Sequence, residues 1–508
     1  MKQSMVARVL VGAVILPAAA GLLAPTQARA QERTAREVLE SAAEAMGGLE
    51  RLRSLDNVVY TGWGQYVYQS GGGFVTGDPN APPKWQAAHD AQRSVDLRNR
   101  RALLQDRRSL LFPLASPVGH SWNRSSTLQT GAAMLDHPLP AVLAALDAST
   151  TLGPVRAEDG LEVVEFTIAD GNTLWIGIDG VTHLPYWVRS IGPSATLGDL
   201  ATTTYFTGYL PYDDVWLPVG LMSRFDWRDT IAMMFQVDAY RVNVDDLPAF
   251  PEPRAGGGPR GGGPPAITVT EVADGVWDLR TAGGNGGPVM EFEDRLVMFE
   301  AYGGEAETLA RIDAANGLVP GKAVAAVIVS HHHFDHSGGL RAAVSRGLTV
   351  ISHRGNRGIF EEMVARPAPN YPDALARNPR RLDFVPVDER LVLEDGTMRV
   401  EVLHAVGHAH MANAVVAWLP AQRIFVEGDF TTWNWDWHWW GGALLDTAER
   451  YGLDPETNIP VHGRITSFEE AAATIDEQVE RARAFCAANV EASVFFPGCP
   501  VQYSRDSR

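Results

Sequence analysis

A dense group of metal-binding residue types lies at positions 331–336, where the chain reads His-His-His-Phe-Asp-His. His331, His333, Asp335 and His336 place three imidazoles and a carboxylate within six positions. The preceding residues 323–329 are apolar and often β-branched, which predicts a buried strand. A strand-end loop lets side chains converge, and imidazole nitrogen and carboxylate oxygen suit zinc and similar divalent ions. A solvated His-rich tract is the alternative, but such tracts rarely follow a buried strand, so we predict a metal site.

Further candidate ligands occur downstream, each beside a short apolar run. His410 lies between predicted strands at residues 399–403 and 414–419, Asp429 follows an apolar strand after a Glu-Gly step, and His462 ends the run Ile-Pro-Val. Strand ends are rigid positions that deliver ligands to one edge of a sheet. Singly, each would more often be a loop residue, but together with the first motif they indicate one metal centre.

The series of motifs from about Thr268 to about Gly463 resembles the metallo-β-lactamase superfamily. The resemblance implies an α/β domain, an αββα sandwich with two divalent metal ions, expected to be zinc, at one edge. His408 is the rival of His410, which we prefer because its spacing to the following hairpin matches the family. The implied ligands are His331, His333 and His410 for one ion, Asp335, His336 and His462 for the second, and Asp429 as a bridge.

Differences between branches of the family narrow the implied chemistry. Asp429 stands where several β-lactamases carry Cys or Ser, and His333 stands where oxygen-reducing flavo-diiron members carry a carboxylate. Only about thirty residues separate Asp429 from His462, too few for the domain that nucleic-acid-cleaving branches insert there. The segment after His462 leaves little room for the helical domain of glyoxalase II. Hydrolases of esters, lactones, thioesters, amides or phosphoesters remain.

The implied mechanism uses water held between two divalent cations, whose pKa falls to about 7. Hydroxide formed in this way would attack an electrophilic carbonyl or phosphorus. Asp335 and Asp429 are the predicted catalytic residues, because they would orient this nucleophile. No general acid is identified from the sequence.

A tryptophan-rich segment follows Asp429, with five of the 14 Trp residues at positions 433–440. In an extended chain Trp433, Trp435 and Trp437 would face one side, and we predict that they bind a small apolar substrate. An aromatic core beneath the metal loop is the alternative. His438 is not assigned as a ligand.

The N-terminus has the pattern of a secretory signal peptide at residues 1–30. The basic residues Lys2 and Arg8 precede an apolar stretch at residues 9–23, and Ala-Arg-Ala at positions 28–30 forms a cleavage signal. We therefore expect a periplasmic or secreted protein. No other apolar run approaches the twenty or so residues of a membrane span, so none is predicted.

Composition limits the partners further. The formal net charge of −18 disfavours nucleic acid and anionic membranes. Cys486 and Cys499 are the two cysteines, and an oxidising compartment would permit but not require their pairing. Nothing in the sequence indicates an oligomeric state.

The chain of 508 residues is too long for one core and predicts several domains. Residues 251–265 contain eleven Gly or Pro and form a predicted linker. It separates a β-rich domain at residues 31–250 from the metal domain at residues 266–508. Within the first, Thr34 and Glu37 predict a capped helix.

Alternating strands at residues 163–168 and 174–178 with turns between them predict a curved antiparallel sheet in the N-terminal domain. The stretch from Ile178 to Pro185 resembles the half-barrels of periplasmic lipoprotein carriers, which cradle acyl chains. A scaffold that packs on the metal domain and shapes its cleft is the preferred interpretation of this domain.

Together these features predict an exported dinuclear zinc hydrolase that cleaves an ester-, lactone- or related acyl bond. A β-lactamase-like amidase is the alternative within the enzyme class. The alternative outside it is a protein that binds an apolar ligand and retains a vestigial metal site. Seven candidate ligands weigh against a structural site, which needs only four.

Overall fold

The computed structural model describes residues 33–110, 123–252, 265–431 and 441–488, apart from residues 75, 82, 406 and 409. The predicted signal peptide and residues 253–264 of the predicted linker lie outside this description. Among the described residues, every strand before the linker belongs to one sheet, and every strand after it belongs to one of two others.

The N-terminal region is built on an eleven-stranded antiparallel sheet, in the order β4-β3-β2-β1-β11-β10-β9-β8-β7-β6-β5. This order places β4 and β5 at the two edges, so the sheet is an open one. The strands are β1 (Asn57–Val67), β2 (Trp85–Asp96), β3 (Arg101–Leu110), β4 (Asn123–Thr130), β5 (Thr151–Glu158), β6 (Leu161–Thr167), β7 (Thr173–Asp179), β8 (Pro185–Ser194), β9 (Gly198–Tyr212), β10 (Val215–Phe225) and β11 (Ile231–Val242).

Three helices accompany this sheet: α1 (Ala35–Ala45), α2 (Leu49–Arg53) and α3 (Pro138–Ala145). The predicted capping box of α1 is present, since Glu37 N–H donates to Thr34 Oγ1 at 3.2 Å and Thr34 N–H donates to Glu37 Oε2 at 2.7 Å. Side chains alternate between the two faces of β6, so Val164 and Phe166 point to the same side and pack in one core with α1 and α3. The β-rich character predicted for this region is confirmed, whereas the resemblance to lipoprotein carriers stays a prediction.

The C-terminal region contains a seven-stranded sheet in the order β12 to β18 and a six-stranded sheet in the order β19 to β24. The first consists of β12 (Ile267–Ala273), β13 (Val276–Thr281), β14 (Gly286–Glu291), β15 (Leu296–Phe299), β16 (Val324–Ile328), β17 (Thr349–His353) and β18 (Asp383–Val387). The second consists of β19 (Arg390–Glu394), β20 (Arg399–His404), β21 (Val415–Leu419), β22 (Ile424–Glu427), β23 (Thr457–Pro460) and β24 (Thr466–Ser467).

Strand alternation explains how these two sheets pack face to face. In β22 the side chains of Ile424 and Val426 enter the core between the sheets, while Phe425 between them points to the outer face. Helices cover both outer faces, so the region is an αββα sandwich, as predicted. They are α4 (Glu305–Asn316), α5 (Phe334–Ser337), α6 (Leu340–Ser345), α7 (Arg357–Ala365), α8 (Ala374–Arg377), α9 (Gly442–Tyr451) and α10 (Phe468–Ala488).

The two regions share an apolar core and charged contacts. Trp227 of the N-terminal region is buried in the same cluster as the helices of the C-terminal region. Beside it, Arg228 donates to both carboxylate oxygens of Glu362 at 2.7 and 2.8 Å. Bidentate pairs of this kind restrict orientation as well as distance. The N-terminal region is therefore held in a defined position next to the metal-binding motifs.

None of the helices in the described part of the chain combines the length and apolarity needed to cross a membrane.

Candidate metal centre

The loop after β16 and the helix α5 that follows it carry four of the predicted ligands, and three of these are histidines. His331, His333 and His336 have no exposed surface, and the ring centroid of His331 lies 4.1 Å from that of His336 and 4.5 Å from that of His333. Gly428 has no room for a side chain here, because a Cβ atom would lie 2.6 Å from Ser330 Oγ. The strand-end loop thus packs tightly against the loop that carries Asp429.

Asp429 lies between two groups of imidazoles. Its Oδ2 atom is 3.0 Å from His410 Nε2 and 3.5 Å from His331 Nε2. Its Oδ1 atom is 3.0 Å from His336 Nε2 and 3.2 Å from His462 Nε2. One carboxylate oxygen therefore faces each group, which is the arrangement that a bridging ligand requires.

All seven predicted ligands are brought together in two adjacent clusters. The first contains His331, His333, His410 and Asp429, and the second contains Asp335, His336 and His462; within each cluster the possible ligand atoms lie within 4.8 Å of one another. Asp335 Oδ2 approaches His462 Nε2 at 3.3 Å and His336 Nε2 at 3.6 Å. Two imidazole nitrogens, His336 Nε2 and His462 Nε2, lie 3.0 Å apart, a distance at which they share a proton or bind one cation together.

The outward nitrogen of four of these histidines has a hydrogen-bond partner. Such partners hold the ring in place and fix the tautomer that leaves the inward nitrogen free to bind metal. The four pairs are His331 Nδ1 with Ser330 Oγ at 2.8 Å, His333 Nε2 with the Phe74 carbonyl at 2.8 Å, His336 Nδ1 with Glu300 Oε1 at 3.2 Å, and His462 Nδ1 with Asn285 Oδ1 at 3.0 Å.

The inward nitrogen of His333 gives a direct test of whether metal fits. His333 Nδ1 is buried and has no hydrogen-bond partner among the described residues. A buried polar atom left in this way costs free energy, and coordination to a metal ion would satisfy it. Imidazole and carboxylate donors are those that zinc and similar divalent ions prefer, so the donor set fits.

The electrostatics of the centre also favour bound cations. Burial lowers the pKa of His331 and His333 well below its ordinary value, which keeps both rings in the neutral form that binds metal. Burial opposes the charged form of His462 too, but Asp335 and Asp429 outweigh it and raise its pKa to about 9. The carboxylates therefore draw positive charge towards this side of the cluster.

Two buried glutamates, to which the sequence analysis assigned no role, support the ligands. Glu300 follows β15 with a positive φ of 72°, and it accepts hydrogen bonds from His336 and from Ser330 N–H at 3.3 Å. Glu427 ends β22 and accepts from the N–H groups of Phe430 at 2.9 Å and Thr431 at 3.1 Å, which shapes the loop around Asp429. Burial raises the pKa of Glu427 to about 7. The only sequence signal for either residue is its position at a strand end.

The N-terminal region supplies further contacts that sequence reasoning missed. Gln69 donates to Asp335, the Phe74 carbonyl accepts from His333, and Lys84 Nζ donates to the His410 carbonyl at 2.8 Å. More than 250 residues separate each of these pairs, so no local pattern could have indicated them.

The remaining site predictions have different outcomes. His408 is buried against Phe430, with ring centroids 4.2 Å apart, and it is not part of either cluster, whereas His410 is. The predicted substrate-binding residues Trp433, Trp435 and Trp437 lie outside the described residues, as do His438 and Cys499 and the side chain of Cys486.

Comparison with known proteins identifies the family that the C-terminal region matches. Residues 289–441 match the family model described as the metallo-beta-lactamase superfamily, which confirms the predicted resemblance of the C-terminal region. No curated protein matches the chain.

Solved structures that resemble part of the chain include a metallo-beta-lactamase from Pontibacter korlensis, at 19% identity over 41% of this chain and 97% of that one, with a TM-score of 0.34. Another is the metallo-beta-lactamase FIM-1 from Pseudomonas aeruginosa in its mono-zinc form, at 19% identity over 42% and 96%, also with a TM-score of 0.34.

Proposed function

We propose that this chain, whose C-terminal region is a metallo-β-lactamase-fold domain, is a dinuclear metal-dependent hydrolase. The observation that carries the proposal is the position of Asp429, which turns one carboxylate oxygen to each of two imidazole groups. A single structural zinc ion needs only a closed shell of four ligands. Seven converging ligands with a shared carboxylate favour two ions and a catalytic role.

We further propose zinc as the metal, held by His331, His333 and His410 on one side and by Asp335, His336 and His462 on the other. All donors are nitrogen or oxygen, which suits zinc in a catalytic site. When bound, two such ions ionise water near neutral pH and polarise a substrate oxygen.

The residues of the protein would orient the attacking water and the metal ligands. Asp335 and Asp429 would orient the attacking water, because their oxygens face the inward nitrogens of the cluster. Tyr302 packs edge-on against His462 with ring centroids 5.7 Å apart, which restricts the orientation of that imidazole. The proposed reaction is cleavage of an ester, lactone or related acyl bond in an apolar substrate.

The substrate class is tested with chromogenic esters, lactones, phosphodiesters and cephalosporins. Each substrate is assayed with protein whose metal has been removed by a chelator, and again after zinc has been restored. We expect zinc-dependent turnover of esters or lactones. The activity of Asp429→Asn should fall by more than the 10–100-fold that is typical when a residue outside the metal shell is replaced. The control is Asp388→Asn, which removes an exposed carboxylate paired with Arg354.

Three results would contradict the proposal in different ways. Turnover confined to cephalosporins would indicate the amidase alternative. No turnover of any substrate, with tight binding of an apolar ligand, would indicate a binding protein. A near-normal rate in Asp429→Asn would show that this carboxylate is not a ligand.

Export to the periplasm or outside the cell is a separate proposal that depends on the pattern at residues 1–30. Mass spectrometry of protein from the native host should find a mature chain beginning at Gln31. An intact N-terminus on the functional protein would contradict it.

A further inference from the structure

The segment that joins β1 to β2, residues 68–84, reaches from the N-terminal region into the metal centre. We refer to it as the β1–β2 segment. It contacts the loop that carries His333 and the loop that carries His410. The Phe74 carbonyl accepts from His332 Nε2 and His333 Nε2 at 2.8 Å each, and Lys84 Nζ donates to the His410 carbonyl at 2.8 Å. These contacts place the N-terminal region next to the ligands themselves.

Gln69 makes the contact that bears most directly on a ligand. Its Nε2 donates to Asp335 Oδ1 at 2.9 Å, and its Oε1 accepts from Phe334 N–H at 3.1 Å. The two ends of the amide thus hold adjacent residues of the metal loop, and this pattern sets which end is oxygen and which is nitrogen.

The backbone of Gln69 also shows that its position is imposed by its surroundings. Its φ of 47° lies in the left-handed region, which is uncommon for a residue other than Gly, Asn or Asp. Residues held there are stabilised by the structure around them and are concentrated at functional sites.

Close packing keeps the β1–β2 segment against the metal loop. A Cβ atom on Gly72 would lie 2.2 Å from the ring of Phe334, so only glycine permits this approach. The same Phe334 ring lies 5.6 Å from the ring of Trp227 in the N-terminal region. The contact between Gln69 and Asp335 is therefore part of a packed interface rather than a surface encounter.

The contact divides the two oxygens of Asp335 between two tasks. Oδ1 accepts from Gln69, while Oδ2 faces His462 and His336 at 3.3 and 3.6 Å. A carboxylate held at one oxygen presents the other in a defined direction. Without Gln69 the carboxylate would be free to rotate, and Oδ2 would no longer be held towards the site formed with His336 and His462.

We propose that Gln69 is a positioning residue for the second metal ion, supplied by the N-terminal region and acting through Asp335. This inference depends on the proposed dinuclear function and assigns the N-terminal region a part in the metal centre. Hydrogen-bond partners outside the metal shell typically change metal affinity by about 10–100-fold.

The test uses full-length Gln69→Met, which keeps the length of the side chain but removes both ends of the amide. Gln69→Asn is a second variant, because Asn tolerates the left-handed backbone and is too short to reach both partners. The control is Gln92→Met, since Gln92 donates to Ser94 within the N-terminal sheet at 3.1 Å. Stepwise Zn²⁺ binding, the visible spectrum with Co²⁺ and thermal unfolding after chelation are measured for each.

In both Gln69 variants we expect the second Zn²⁺ to bind about 10–100-fold more weakly, with the first unchanged and the second set of Co²⁺ bands altered. Gln92→Met should match the wild type in all three measurements. Equal weakening of both ions, or an unchanged second ion, would overturn the role of Gln69. The wild-type titration and substrate panel decide the dinuclear hydrolase separately, so the two proposals can fail independently.

Discussion

Replacing Glu300 by Gln probes the buried support of the second metal ion with little change of shape. Glu300 is fully buried, and its two oxygens accept from His336 Nδ1 at 3.2 Å and Ser330 N–H at 3.3 Å. A glutamine has one acceptor oxygen and one amide donor in place of two acceptors. Either His336 or Ser330 must then face an N–H group.

The size of the effect follows from this mismatch. A buried donor without an acceptor costs about 1–3 kcal/mol, which sets the expected loss of folding stability. If the amide turns its NH₂ group to His336, the ring must carry its proton on the inward nitrogen, where it competes with metal. We therefore expect the second ion to bind about 10–100-fold more weakly, about 1.4–2.7 kcal/mol.

The measurement is a Zn²⁺ titration against a chromophoric chelator, together with urea unfolding of the chelated protein. Glu291→Gln is the matched control, because Glu291 ends β14 of the same sheet, pairs with Lys322 and is not part of the metal-binding clusters. A selective loss at the second site supports the reasoning. The reasoning would be refuted if the second site of Glu300→Gln bound Zn²⁺ as tightly as the second site of the wild type.

Three further predictions concern other parts of the molecule. His336→Ala or His462→Ala should reduce bound zinc from two ions to one by elemental analysis; two ions in either variant would contradict the ligand assignment. Burial lowers the pKa of His137 well below its ordinary value of about 6.5, so its contribution to stability is fully present above pH 6.5 and is lost as the pH falls towards the lowered value. His137→Asn should therefore reduce the fall of the melting temperature in acid, and an unchanged pH dependence would count against this. Trp435→Ala and Trp437→Ala should raise KM more for a long acyl ester than for a short one, by about 1–3 kcal/mol of lost contact, whereas uniform loss with a large drop in melting temperature would indicate a structural core.

Much of the metal centre could be predicted from the sequence because its ligands are local features of strands. An apolar run ends, a polar side chain follows, and the edge of a sheet brings such ends together. This reasoning identified His331, Asp429 and His462 as neighbours although they are far apart in the chain, and in the structure Asp429 approaches both histidines, His331 at 3.5 Å and His462 at 3.2 Å. The choice of His410 over His408 came from the resemblance, because His410 keeps the family's spacing to the following hairpin.

The supporting contacts could be found only in the tertiary structure. Gln69 and Lys84 lie between two strands of the N-terminal sheet, whereas the residues they contact follow strands of the C-terminal sheets, so the choice of partner depends on how two packed regions meet. Glu300 supports His336 because its backbone is left-handed and its side chain is completely buried. The residue type alone reveals neither property.

Residue types and their spacing determined which chemistry this protein can hold, since metal coordination depends on donor atoms that a sequence displays directly. Only the tertiary structure decided how those donors are oriented. Orientation depends on hydrogen bonds and packing between distant segments, such as that of Gln69 with Asp335, and these follow from the summed geometry of the whole fold rather than from any local pattern.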